Sequence, residues 1–428
     1  MKPSGIEWIG DIPDDWEVIK TKFLFNVYGG STPKVNVPEY WGDKITWITP
    51  GELGDDIKIV LNSKRMLSEK GLNSCGATLA PKGSIIISNR APIGQVCLAG
   101  RELCTNQGCK SLVAKIKLSC LFFYYFFKVQ SEVLNMLGNG TTFMELSASD
   151  LLNFKIPFPP LKTQQKIADY LDEKCGEIDA TIAKQKESIE KLKAYKQSLI
   201  SETVTKGLDK FAPLKPSGIE WIGDIPDDWE VTKISRLYSI QLGKMLQPEK
   251  KSSGDTYEPY ICAANLSSGT FRLDEVKYMW ISEPEKDIYR LKRDDLLVTE
   301  GGDVGISSIW KDDISPCYFQ NALHRVVPKK GNSNRFLHYW LIVLKSVGYI
   351  DLICNKSTIA HFTKEKFAQS LILSIPLQTQ EKIADYLDSK CSQIDKYITE
   401  KQNIIQKLDA YKKSLIFECV TGKRDLWV

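Results

Sequence analysis

Residues 2–18 read KPSGIEWIGDIPDDWEV, and residues 215–231 repeat that string at all 17 positions. Such identity marks a tandem duplication, so whatever fold the chain adopts must place the same segment twice. A second pair follows in the same order. Residues 160–209 begin PLKTQQKIADYLDEKCGEID and residues 376–425 begin PLQTQEKIADYLDSKCSQID, with 29 identities in 50 ungapped positions. Two spacers separate these landmarks, 19–159 and 232–375, of 141 and 144 residues and with little obvious sequence in common. A period this long, present twice, describes two domains on a repeated scaffold rather than a solenoid. The 428 residues are ample for two cores.

The repeated C-terminal segments read as long helices. Pro160 and Pro376 stand before the start, Thr163 or Thr379 is placed to act as N-cap, and neither copy has an interior proline. Apolar residues recur at three-four spacing: Leu171, Cys175, Ile178, Ile182, Ile189, Leu192 and Leu199, then Leu387, Cys391, Ile394, Ile398, Ile405, Leu408 and Leu415. This is a heptad seam. Polar residues interrupt it at matching places, Gln185 with Lys401 and Lys196 with Lys412. Matched breaks suit two helices that pair with each other, antiparallel, because polar seam residues fix register at a cost in stability. The other arrangement packs each helix on its own domain.

Charge sorts along the same boundaries. The spacers hold 16 basic against 10 acidic residues and 20 against 16, whereas the repeated segments are net acidic. Two unlike basic domains suit two unlike stretches of phosphate backbone, and a duplicated surface suits two copies of one partner. Trp8, Trp16, Trp221 and Trp229 sit in the duplicated segments; tryptophan is enriched among interface anchors, but it serves equally to plug a scaffold's own core.

The opening residues lack the apolar stretch of a cleavable signal. The greasiest run, Leu118–Phe127, is about half a membrane span and reads as a buried helix. Eleven cysteines, an odd number spread over the chain, suit a reducing cytoplasm. Cys97, Cys104, Cys109 and Cys120 lie close together without a CxxC pair, and His324, His338 and His361 are remote, so buried thiols are expected rather than zinc.

Both spacers read as mixed α/β with short strands. Their middles align despite low identity: Ser84–Ser88 with Asp295–Thr299, Gly94 with Gly305, Gln107 with Gln320, and the run CLFFYYFFKVQSEVLNML with FLHYWLIVLKSVGYIDLI. Each also has a small polar loop, Gly140-Thr141-Thr142 and Lys356-Ser357-Thr358. The fold expected is therefore α+β: two mixed α/β domains separated by two long antiparallel coiled-coil helices, with internal pseudo-twofold symmetry. Catalytic motifs are missing. There is no phosphate-binding GxxxxGK[ST] loop, Gly301–Gly305 reads as a turn between strands, and Asp43 with Asp56-Ile57-Lys58 is a weak match to a metal-nuclease carboxylate set.

The two GIEWIGDIPDDWE strings, followed by PLKTQQKIADYLDEKCGEID and PLQTQEKIADYLDSKCSQID, resemble the specificity subunits of type I restriction–modification systems, and the likeness runs end to end. It implies target recognition domains at 19–159 and 232–375. The repeated segments would be 1–18 and 210–231, and the long helices 160–209 and 376–428. It further implies a cytoplasmic, non-catalytic subunit that binds no cofactor. Each domain would read half of a split, asymmetric site in double-stranded DNA, while two methyltransferase (M) subunits carrying S-adenosylmethionine dock on the scaffold and methylate adenine. Restriction (R) subunits, using ATP and Mg, would add cleavage. Loop residues able to pair with base edges are Thr32, Lys34, Asn89, Arg90, Gln107 and Lys110 in the first domain, and Lys244, Asn265, Gln320, Asn321, His324 and Arg325 in the second. Compact domains of this size, about 14 Å in radius of gyration, side by side suggest half-sites centred about one DNA turn, or roughly 35 Å, apart. The rival readings are the DNA-reading part of a single-chain restriction–methyltransferase enzyme and a stand-alone DNA-binding regulator.

Overall fold

The computed structural model describes residues 1–54, 57–138, 144–267, 269–354 and 360–425. The polar loops 140–142 and 356–358, and Asp56, fall outside the described residues.

The chain forms two compact units, residues 1–185 with 402–428, and residues 186–401. These units cut across the linear order. Each holds one copy of the short segment, one recognition-type domain, the first part of one long helix and the last part of the other.

In the first unit a five-stranded sheet runs in the order Phe25–Gly29, Cys109–Ala114, Ile85–Ser88, Val96–Ala99, Ile59–Val60. Ile85 to Ser88 are all buried, as expected of a strand covered on both faces. A smaller sheet, Leu103–Thr105, Ile45–Ile48, Met66–Leu67, Trp41–Gly42, adjoins it. The apolar run forms helix α1, Cys120–Lys128, whose residues Phe122 to Phe127 are all buried. Its N-cap is Ser119, whose hydroxyl accepts from the Phe122 amide. Strand Lys155–Phe158 then pairs antiparallel with Glu17–Lys20 and delivers the chain to helix α2, Leu161–Lys206.

The second unit repeats this plan. Its main sheet runs Tyr238–Leu242, Leu323–Pro328, Leu296–Thr299, Ser307–Ile309, and its smaller one Lys277–Ile281, Thr256–Ile261, Tyr318–Phe319. Helix α3, Asn334–Ser346, stands where α1 stood, and strand Leu371–Ser374 pairs with Glu230–Lys233 before helix α4, Leu377–Val420. The alignment of Ser84–Ser88 with Asp295–Thr299 holds in detail. Gly94 and Gly305 have φ of 87° and 77°, and each donates its amide to the carbonyl of the matching residue, Ser88 or Thr299, at 3.0 Å. The Gly301–Gly305 cluster is thus a turn joining two paired strands.

The long helices are 46 and 44 residues, rising about 65–70 Å at 1.5 Å per residue. They begin three residues earlier than an N-cap at Thr163 or Thr379 would place them. The Thr163 and Thr379 amides already bond to Pro160 and Pro376 carbonyls at 2.9 Å, so both threonines lie in the first turn. Antiparallel pairing is present in each unit. In the first, Ile167, Leu171, Cys175, Ile178 and Ile182 of α2 share a core with Leu415, Ile416, Cys419 and Val420 of α4. In the second, Ile200 and Val204 of α2 meet Ile383, Leu387 and Cys391 of α4. Ile189 and Ile394 are also buried, while Leu192, Leu199, Ile398, Ile405 and Leu408 are partly so. One matched pair of polar breaks makes reciprocal ion pairs: Lys412 meets Asp179 at 2.5 Å in the first unit, and Lys196 meets Asp395 at 2.6 Å in the second.

The four tryptophans belong to this core. Trp16 and Trp229 are each 3% exposed. Trp8 stacks on Phe154 at 6.0 Å, and Trp221 lies against Trp340 and Tyr349. Trp16 closes on Gly422 past the end of α4, and Trp229 on Gly207 past the end of α2. Trp16 and Trp229 are therefore plugs of the chain's own core, whereas Trp8 and Trp221 are only partly buried and keep some surface open to solvent.

Candidate nucleic-acid interface

Three chain segments of the first domain converge on one surface: the loop after Phe25–Gly29, the turn after Ile85–Ser88, and the approach to Cys109–Ala114. Gly30 makes this possible, since a Cβ there would lie 2.0 Å from the Asn106 carbonyl oxygen. Ser31 and Asn89 tie the segments together, their amides bonding to the Thr105 and Gly108 carbonyls at 2.9 Å. Thr32 donates to Gln107 Oε1 at 2.5 Å. Gln107, Lys34 and Arg90 are exposed, and Arg90 is ion-paired to Glu145 at 3.1 Å. Lys110 is buried, 7% exposed, and burial lowers its pKa, while Glu145 acts the other way. Asn89 is fully buried and donates to Glu145 Oε1 at 2.8 Å. Thr32, Arg90 and Gln107 thus lie together at the surface, whereas Asn89 and Lys110 are buried beneath them. Glu145 was missed; it lies some 55 residues from Arg90 in sequence, so no local signal could have found it.

In the second domain Lys244, Gln320 and Asn321 are brought together, the Asn321 amide bonding to the Lys244 carbonyl at 2.9 Å. Lys244 is 6% exposed, and its ammonium is held by Gln247 at 3.0 Å and Glu285 at 2.5 Å. Burial alone would raise Glu285, yet bonds from Lys244 and Ser282 hold its carboxyl below the usual range. The remaining three candidates are internal. Asn265 spans the Arg272 and Glu275 carbonyls and accepts from the Cys262 amide. His324 is fully buried, with Nε2 2.7 Å from the Phe362 carbonyl oxygen. Arg325 serves the carbonyls of Arg290 and Ile288, the Gln241 side chain and Asp295. As placed, these three hold the domain together rather than facing a base edge.

Each smaller sheet also carries an aromatic pair beneath a cation. Arg65 lies 3.4 Å from the ring centre of Trp41, which meets Trp47 edge-on. Lys250 lies over Trp280, beside the exposed Tyr257 and Tyr278 stacked at 5.6 Å. Such platforms suit stacking on bases or sugars.

Cys97, Cys104 and Cys109 are buried strand residues; burial pushes the first two thiols up to about 12 and Cys109 higher still. Among the described residues no group of three or more His, Cys, Asp or Glu could hold a metal ion, and no helix is long and apolar enough to cross a membrane. Lys58, weighed beside Asp43 as part of a carboxylate set, is instead paired with Asp172 of α2.

A repeated helical scaffold bearing two α/β domains of one fold with unlike loop surfaces defines a class: a duplicated recognition scaffold. Residues 13–193 and 226–410 each match the type I restriction modification DNA specificity domain, and the chain belongs to that family. It is 34% identical over 270 residues to the type I restriction enzyme MjaIX specificity subunit of Methanocaldococcus jannaschii, covering 61% of this chain and 60% of that relative's length. The MjaVIII specificity subunit of the same organism is 23% identical over 434 residues, 96% of this chain and 93% of the relative. A solved structure concerning complex assembly and conformational transition of the type I R-M system superposes with a TM-score of 0.74 at 16% identity, over 97% of this chain and all of that one. The shared fold is the antiparallel helix scaffold with its two domains.

Proposed function

We propose that this chain directs a type I restriction–modification complex to its DNA. Each domain reads one half of a bipartite, asymmetric site, and the scaffold docks two methyltransferase subunits that methylate adenine; restriction subunits add cleavage. The observation that carries this reading is where sameness and difference fall. The retained residues build the helix pair and its plugs, and the differing residues include Thr32 and Lys34 in the first loop cluster and Lys244 and Asn321 in the second. Docking is supported by the partly exposed Trp8 and Trp221 and by the outer faces of the helices, where Tyr195 and Tyr411 occupy matching positions and are 58% and 49% exposed.

The test is to co-express the chain with its methyltransferase and map methylated adenines by long-read sequencing. A two-part motif is expected, with half-sites of roughly 3–5 base pairs centred about one turn apart. Exchanging residues 19–159 for another domain of this family should change one half alone. A swap that alters both halves or neither would refute the assignment.

A further inference from the structure

The two domains have diverged in their loops, yet each is fastened to its long helix by the same two contacts. In the first unit Gln164, 1% exposed, accepts from the Ser119 amide at the start of α1 at 2.9 Å and donates to the Pro159 carbonyl at 2.8 Å. In the second, Gln380, also 1% exposed, accepts from the Ser333 amide before α3 at 2.9 Å and donates to the Ile375 carbonyl at 2.8 Å. Two turns further along, Asp172 Oδ1 accepts from the Tyr125 hydroxyl at 3.0 Å, and Asp388 Oδ1 from the Tyr339 hydroxyl at 2.5 Å.

A cation completes each aspartate, but it comes from a different place. Lys58, from the segment before Ile59–Val60, pairs with Asp172. Arg335, from α3 itself, pairs with Asp388 and, at 2.8 Å, with Asp385. The amide cap and the tyrosine thus persist where the surrounding sequence has changed, and the charge has been supplied twice by separate routes. On each helix the Gln and the Asp are eight residues apart, or about 12 Å of rise on one face. A single contact leaves a domain free to swivel about it; two contacts at that separation fix its angle to the helix axis as well.

We propose that Gln164 with Asp172, and Gln380 with Asp388, are positioning residues that set the angle of each recognition domain on its helix and so fix the spacer length between the half-sites. They touch no DNA and choose no base; they decide how strictly the distance is read. This role rests on the function proposed above.

The test uses the assembled complex of full chain and methyltransferase with a DNA library in which the two half-sites are held constant and the spacer varies one base pair at a time. The double variant Tyr125→Phe with Tyr339→Phe removes only two hydroxyls, and its melting temperature shows whether the fold is kept. Its preference for the correct spacer over spacers one base pair longer or shorter should fall about tenfold, the scale of one lost hydrogen bond to a charged acceptor. The half-site bases should not change. Asp172→Asn with Asp388→Asn, which keeps an acceptor for each tyrosine but removes the charge, should give a smaller fall. Unchanged spacer preference in the tyrosine variant overturns the proposal, and so does a loss of methylation equal at every spacer. If the wild-type complex modifies no two-part site at all, the proposed function itself fails and this role falls with it, a result told apart by needing no variant.

Discussion

All three histidines of the chain lie in the second unit. Burial pulls His324 below its ordinary pKa, and pulls His338, which shares a 3.0 Å hydrogen bond with Ser307, down to about 4. The unfolded chain takes up protons at these sites below about pH 6.5, where the folded chain does not. The stability they contribute is therefore complete above pH 6.5 and is lost progressively as the pH falls, for His338 toward 4. Between pH 7 and 5 the second unit should lose on the order of 2 kcal/mol from this source, while the first unit has no histidine to lose it from. Urea midpoints for His338→Gln, nearly flat over that range relative to wild type, would check this. A surface prediction concerns the exposed Lys34. Under the proposed function, replacing it with Ala should weaken DNA binding about equally across sequences and lower the salt slope by about 1, the signature of a phosphate contact; a changed base preference would make it a base reader instead. What the sequence hid at this scale was burial. Asn89, His324 and Arg325 have the side chains of base readers, but their depth is set by partners 38 to 84 residues distant, beyond the reach of any local pattern.

At the level of elements the helices were legible because their periodicity is long and printed twice. Even their polar interruptions predicted something, since Lys196 and Lys412 prove to meet aspartates of the facing helix. The Asp179–Lys412 and Lys196–Asp395 pairs are half exposed, so each adds no more than about 1 kcal/mol. Replacing both lysines with Leu should leave stability equal or higher by about 1 kcal/mol, while the register loosens, as hydrogen exchange along α2 and α4 would report. The domain strands were legible for a different reason. A tight turn with positive φ needs glycine, which let Gly94 be matched to Gly305 although little else agreed. A Cβ at Gly94 would sit 2.9 Å from Ser131 Cα, and one at Gly305 would sit 2.5 Å from Ile350 Cδ1. Either Gly→Ala substitution should therefore cost about 2–3 kcal/mol, measured by chemical denaturation. The helix starts three residues before an N-cap at Thr163 would allow, because Thr163 suits an N-cap by type whereas the turn is closed by the carbonyl of Pro160. The tryptophans could not be resolved at all, because composition does not distinguish a partner's socket from the chain's own.

For the whole molecule, the length of the helix pair becomes a functional quantity under the proposed reading. Removing one heptad from each long helix takes away about 10 Å of rise, equivalent to about three base-pair steps. The preferred spacer should shorten or modification should cease, read by the same methylation map; an unchanged site would deny the helices their part in setting distance. Composition and repeats foretold two domains on one scaffold, but not that each unit would draw on both helices.

That sharing has a consequence for synthesis. The second unit, residues 186–401, is continuous in the chain, whereas the first needs residues 402–428, among them Leu415, Ile416, Cys419 and Val420. The half translated first therefore lacks part of its core, the α4 residues that pack on Ile167 to Ile182, until residues 402–428 are made, while the half translated later can close before then. A chain stopped after residue 401 should keep a cooperative transition for its later half and present a greasy, dye-binding surface on its earlier one, the opposite of the order in which the two are made.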